Sequence, residues 1–231
     1  MDIIYEDKDI IVVDKPAGIA VQTANIARED IVSKVKNHIC TEHGTNDPYL
    51  GIVHRLDQPV RGLLVFALNR KAAAKLSSQI SEKSFVKRYH AIVNGVIKER
   101  GQVVLEHYLI KDKDNLARIV AKDSKGAKRA VLSYEVKAAD EENDISFLDI
   151  RLMTGRYHQI RAQLSAIGHP IVNDIKYGGR ETDPSLLCGY FGSSGKKTDN
   201  SLQRSSNAIC LCACYLSFIH PSDGSRMEFG I

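Results

Sequence analysis

Leu63-Leu64-Val65-Phe66-Ala67 is an unbroken apolar run, followed by Asn69 and then by Ala72, Leu76 and Ile80 at intervals of four. Five apolar residues in a row suit a strand buried on both faces. Residues four apart share one helical face, and asparagine is among the residues whose side chain caps a helix N-terminus. The stretch therefore predicts a buried strand leading directly into a helix. It places the preceding segment, His54-Arg55-Leu56-Asp57, in a loop at the entrance to that strand.

Toward the N-terminus, Ile3 to Tyr5 and Ile10 to Val13 form two short apolar runs separated by Glu6-Asp7-Lys8-Asp9 and closed by the turn Lys15-Pro16-Ala17-Gly18. This is a strand-rich opening. Ile31, Val35 and Ile39 then mark one face of a helix over about residues 30–40. Toward the C-terminus, Arg88 to Val93 alternates as far as the turn Asn94-Gly95, and Val131 to Val136 and Phe147 to Leu152 alternate in the same way. After Thr154-Gly155-Arg156, the residues Ile160, Leu164 and Ile167 trace a short helix capped by Gly168, with Pro170 beyond it. Arg161, about 100° round from Ile160, is expected to face away from the core. Ile209 to Phe218 reads as a strand. Hairpins and strand–helix steps succeed one another without a βαβ rule, so the fold class is α+β: a mainly antiparallel mixed sheet with helices packed on it.

The 231 residues, 43% hydrophobic, suffice for one domain spanning 1–231, with a flexible loop expected at 182–206, where Gly, Ser, Lys and Asp dominate. The acidic opening lacks the pattern of a secretory signal. The longest apolar run, Ala208 to Leu216, is nine residues, against the roughly 18 that would suggest a membrane span. The five cysteines with no export signal fit free thiols in a reducing compartment, so the expectation is a soluble, cytoplasmic protein.

Cys210, Cys212 and Cys214 alternate along the last predicted strand. Residues two apart on a strand face are separated by about 6.7 Å. Sulfurs around a tetrahedral zinc lie only about 3.8 Å apart. No metal is expected there. Nor does the chain carry a dinucleotide fingerprint or a P-loop: Gly192-Ser193-Ser194-Gly195-Lys196-Lys197-Thr198 has Tyr190 where the first P-loop glycine belongs. No cofactor is expected. The net charge of +4, with basic clusters at Lys83-Lys87-Arg88, Lys122-Lys125-Lys128-Arg129 and Lys196-Lys197-Arg204, permits a polyanionic partner without requiring one.

Five segments together carry a resemblance. They are Val13-Asp14-Lys15-Pro16-Ala17-Gly18; His54-Arg55-Leu56-Asp57 with Gly62-Leu63-Leu64-Val65; Lys87-Arg88-Tyr89-His90-Ala91 through Gly95; Thr154-Gly155-Arg156-Tyr157-His158-Gln159-Ile160-Arg161; and Gly168-His169-Pro170-Ile171 with Asp174 and Tyr177-Gly178. In this order and spacing the chain resembles the RluA-type family of RNA pseudouridine synthases. The resemblance implies an isomerase that converts uridine to pseudouridine in structured ribosomal or transfer RNA, without a cofactor. No obligatory protein partner is evident from the sequence, and a monomer is the default expectation.

It also implies site roles. Asp57 matches the family's essential aspartate, acting at the sugar or at the base. Arg161 matches the basic residue that pairs with it, and Tyr89 the active-site tyrosine that meets the extruded uracil. Arg55 is the candidate for bracing the RNA, while Leu56 and Ile160 offer the uracil an apolar wall. His54 and His158 match motif positions as structural hydrogen-bonding residues, and Lys15 supports the site.

The sequence departs from the family pattern at Val60-Arg61, where Thr-Ser is common, at Tyr157, where Thr is frequent, and at Cys212-Ala213, where His-Ala is frequent. The S4-like domain that precedes many relatives is not expected. Two other readings stay open at this point. One is an RNA-binding protein of the same fold without catalysis, expected to have replaced Asp57, Tyr89 or Arg161. The other is a nucleoside-directed hydrolase, which needs a second carboxylate across the bond.

Overall fold

A computed structural model describes residues 1–25, 27–182 and 208–231. Of the expected loop 182–206 only Thr182 is therefore described, and the Lys196-Lys197-Arg204 cluster and the Gly192 to Thr198 segment lie outside the described residues. The chain divides into two compact units, Met1–Val86 with Ala213–Ile231, and Lys87–Cys212.

In the first unit the strands run in the order β1 (Asp2–Glu6), β2 (Ile10–Lys15), β4 (Arg61–Ala67), β10 (Leu211–Ile219, in this unit from Ala213) and β11 (Arg226–Gly230), with the short β3 (Gly51–Ile52) also on β4. β2 and β4 are antiparallel, from Ile10 opposite Ala67 to Lys15 opposite Gly62. The expected double burial of β4 is realised: Leu63 to Ala67 are all fully buried. Leu63, Val65 and Ala67 pack with Ala72 and Leu76 of α2 (Arg70–Ser81) and with Phe85, Leu216 and Phe218. Leu64 and Phe66 project from the opposite face by strand alternation. Burial of this kind stabilises by about 1.5–3 kcal/mol for each large side chain. The Asn69 side chain caps α2 by accepting from the Ala72 N–H at 2.9 Å.

α1 spans Ile31–His43 with Ile31, Val35 and Ile39 buried. It begins where the Asp30 carboxylate accepts from Ser33 N–H at 2.7 Å. It ends three residues beyond the expected Cys40, where Gly44 turns left-handed at φ 65°. Gly62 has a different reason to be glycine. Its φ is 130°, and a Cβ there would lie 2.6 Å from the backbone nitrogen of Ala213 and against the Ala213 carbonyl oxygen. Only a residue without a side chain lets β4 begin this close to β10.

The second unit orders its strands β5 (Val86–Asn94), β9 (Ile145–Leu152), β8 (Lys128–Asp140), β6 (Gln102–Lys111) and β7 (Ala117–Val120). Each of these neighbouring pairs is antiparallel. α3 (Gln159–Ala166) and a 3-10 turn (Ile175–Tyr177) belong to this unit, with Ala162 and Tyr177 packed on Leu109, Ala117 and Ala130. The architecture is α+β, as predicted. No helix among the described residues is long and apolar enough to cross a membrane.

Candidate active site

In the first unit the site is built on Lys15, the last residue of β2, which is fully buried. A buried ammonium is costly unless its donors are satisfied. Here Lys15 Nζ donates to the carbonyls of Pro16 at 3.0 Å, Ile19 at 2.8 Å and Gln58 at 3.1 Å. Gln58 completes the clasp. Its carbonyl also accepts from Gly18 N–H at 2.9 Å, and its side-chain amide donates back to the Gly18 carbonyl at 2.9 Å. The first two motif segments are thus laced together around one residue, Gln58.

Asp57 heads a tight turn closed by the Val60 N–H donating to the Asp57 carbonyl at 3.1 Å. Its side chain is half-buried and close enough to Lys15 for their charges to interact. Burial pushes the Lys15 pKa down to about 8, while Asp57 and then Asp14 pull it up. Lys15 therefore stays cationic at neutral pH, which favours the ionised form of the neighbouring carboxylate. Leu56 is buried and Arg55 is exposed.

His54 acts as a strut. The Val65 N–H of β4 donates to His54 Nε2 at 3.2 Å, so the neutral ring carries its proton on Nδ1. The ring also packs on Phe85 at 5.4 Å. Val60-Arg61, the departure from the family pattern, has its own account: Val60 is buried, and the Arg61 guanidinium donates to the Asp14 carboxylate at 2.8 Å.

In the second unit Arg161 does not face away from the core, as its position beside Ile160 had suggested. It is 3% exposed, and every residue from Gln159 to Leu164 is buried. Helical phase alone misplaces it because α3 is enclosed on every side. The charge is satisfied by Asp174: Nε donates to Oδ2 at 2.6 Å and Nη2 to Oδ1 at 2.7 Å. The guanidinium also lies over the Tyr177 ring, 4.8 Å from its centre.

Tyr177 in turn fixes His158. Its hydroxyl accepts from the Ala117 N–H at 2.7 Å and is hydrogen-bonded to His158 Nδ1 at 2.9 Å. Burial, followed by the positive charge of Arg161, pushes the His158 pKa down to about 4. His158 is neutral at physiological pH and sits at φ 47°, where the chain turns into α3. The Tyr157 ring stacks on it at 3.8 Å. Asp174 and Tyr177 belong to a matched motif, but no spacing rule ties them to an arginine in the helix before them.

Tyr89 is buried on β5 opposite Ile150. The turn that ends its strand is locked to the fifth segment: Asn94 N–H donates to the Pro170 carbonyl at 2.9 Å, and the Asn94 carbonyl accepts from His169 Nδ1 at 2.9 Å. Ile160 is buried on α3. Tyr89, Ile160 and Arg161 therefore share the second unit, whereas His54, Arg55, Leu56 and Asp57 belong to the first.

Among the described residues, Asp7, Asp9 and His220 bring three potential metal-ligand atoms within 4.8 Å of one another. Their oxygens are already engaged as a clasp. Asp7 accepts from the N–H groups of Asp9 and Ile10 at 2.8 and 2.9 Å and pairs with His220 Nε2 at 2.8 Å. Asp9 accepts from Asn69 and from the Ser222 hydroxyl. Of the alternating cysteines, Cys210 and Cys214 are buried, and burial pushes the Cys210 thiol up to about 12, far from the thiolate that binds metals.

A family model described as RNA pseudouridylate synthase matches residues 9–166. An uncharacterized RNA pseudouridine synthase of Aquifex aeolicus is 33% identical over 100% of this chain and 69% of its own length. The ribosomal large subunit pseudouridine synthase D of Pseudomonas aeruginosa is 34% identical over 99% of this chain and 67% of its own. The tRNA pseudouridine synthase C of Vibrio parahaemolyticus is 29% identical, covering 96% and 85%. Among solved structures, human RNA Pseudouridylate Synthase Domain Containing 4 shares the fold with a TM-score of 0.74 at 22% identity, over 99% of this chain and 87% of that one.

Proposed function

The chain belongs to the RNA pseudouridylate synthase family, and from that premise we propose that it isomerises uridines in structured ribosomal or transfer RNA with Asp57 as the catalytic carboxylate. The observation that carries the proposal is the clasp around Gln58, which holds the turn of Asp57 next to the buried cation of Lys15. A carboxylate kept ionised can add to, or stabilise, the electron-poor sugar carbon or the pyrimidine ring as the N1–C1′ bond breaks. The base then rejoins C1′ through C5, C5 loses its proton and N1 gains one. Neither electrons nor an energy-carrying nucleotide is consumed.

In this reading the family resemblance makes Arg161 the cation that balances the charge of Asp57; within its own unit the guanidinium is held by Asp174 and Tyr177. Tyr89 stacks on the extruded uracil and its hydroxyl serves the proton at C5. Leu56 and Ile160 wall the base, and the exposed Arg55 braces the RNA. His54 and His158 position backbone around these groups. The reading treats residues 1–231 as one catalytic domain acting as a monomer in the cytoplasm.

The test is release of tritium from C5 of uridine in bulk cellular RNA. The wild type is expected to release label and Asp57→Ala, folded by circular dichroism, to release none. Free uracil as the product would point to a hydrolase. Absence of release from any RNA by the wild type would leave a binding protein.

A further inference from the structure

Lys87 and Tyr89 are two residues apart on β5 and so project from the same face of the strand. On the neighbouring strand β9, the residues directly opposite that face are apolar: Ile150 faces Tyr89 and Leu148 faces Ala91, and both are fully buried. The acid on β9 lies on the other side, where Asp149 is engaged by Arg88. Lys87 Nζ lies against the turn at residues 154–156, 3.7 Å from where a Cβ on Gly155 would stand. Among the described residues this half-buried ammonium has neither a hydrogen bond nor an ion pair, in contrast to Lys15, whose donors are all engaged.

A half-buried cation without an acid beside it is a cost to the folded protein unless something supplies the missing charge. Burial indeed pushes its pKa down, with no neighbouring charge to oppose the shift. The first motif's lysine is thus spent on the fold, while the third motif's lysine is left for a ligand. The partner of the proposed reaction is an RNA, which brings one anionic phosphodiester with every nucleotide. We infer that Lys87 binds a phosphodiester of the RNA strand carrying the target uridine, anchoring the backbone beside the base that Tyr89 meets. This rests on the synthase reading for its ligand.

The experiment measures binding of the full chain to unmodified ribosomal and transfer RNA transcripts between 50 and 200 mM salt, and C5 tritium release from the same transcripts. Loss of one phosphate contact is expected to weaken binding by Lys87→Met and to reduce the log–log salt slope by about one. Lys87→Arg is expected to keep the wild-type slope, and Lys87→Met to raise KM much more than it lowers kcat. A wild-type slope in Lys87→Met overturns the inference, because the side chain then contributes only its apolar stem. So does a slope lost equally in both variants, which would make the shape of lysine, not its charge, the essential property. Thermal denaturation of each variant identifies misfolding. Tritium release by the wild type is read separately: its absence refutes the synthase reading, whereas an unchanged slope in Lys87→Met alongside normal wild-type release refutes only the Lys87 contact.

Discussion

The carboxylate of Asp174 grips the buried guanidinium of Arg161 through two hydrogen bonds, at 2.6 and 2.7 Å. Neither side chain is accessible to water, at 4% and 1% exposure. Removing the acid alone strips both of these hydrogen bonds from a buried cation. Asp174→Ala is therefore expected to lose about 3–5 kcal/mol of stability, measured by urea denaturation. Replacing both partners with apolar residues, Arg161→Met with Asp174→Leu, is expected to recover most of that stability while tritium release stays absent. Activity in the folded double variant would show that Arg161 serves the fold alone.

Gly62 and Gly44 both have positive φ, yet they predict different outcomes. At Gly44 nothing lies within 4 Å of an added Cβ, so Gly44→Ala should cost only the left-handed strain of about 1–2 kcal/mol. At Gly62 the added Cβ meets the Ala213 backbone, which cannot rotate aside as a side chain would. Gly62→Ala should cost about 3 kcal/mol or more, or prevent folding. Comparable melting temperatures for the two variants would contradict the close approach of β4 to β10.

His158 carries a pH prediction. Its folded pKa, about 4, lies below the 6.5 of an unperturbed histidine. Below pH 6.5 the unfolded chain takes up a proton on this ring that the folded protein takes up only near pH 4. Stability is thus unaffected above about 6.5 and falls as pH drops through this window. Comparison with His158→Gln should isolate the contribution as a shallower acid limb. In an NMR titration the His158 ring signals should stay at their neutral positions down to about pH 5, and a midpoint near 6.5 would contradict the burial described here.

Much of the fold was legible because the deciding patterns are local. The β4 run, the Asn69 cap and the stripes of α1 and α2 each depend on a few adjacent residues, and the structure realises all of them. β6 was not anticipated because its alternation is blurred: Val104 lies between inward-facing residues and is 57% exposed. Arg161 was misplaced because helical phase gives direction relative to one neighbour, whereas burial depends on everything packed around the helix. The candidate site rests on the five ordered segments, because no single one of them specifies it locally. Their physical reason emerged with the hydrogen bonds, which join the first segment to the second and the third and fourth to the fifth.

The clasp at Lys15 has a consequence for how the protein assembles itself. The bond from its ammonium to the Gln58 carbonyl joins residues 43 apart in the chain. The turn of Asp57 has little local structure of its own to form early, since one backbone hydrogen bond closes it. Contacts between distant residues must first overcome loop-closure entropy, so they form slowly relative to helices and tight turns. The Asp57 turn is accordingly ordered only after β2 and β4 have zipped together and delivered Lys15 to it. During refolding, catalytic competence should lag behind the recovery of helix signal, because the residue proposed to perform the chemistry waits for a lysine from another part of the chain.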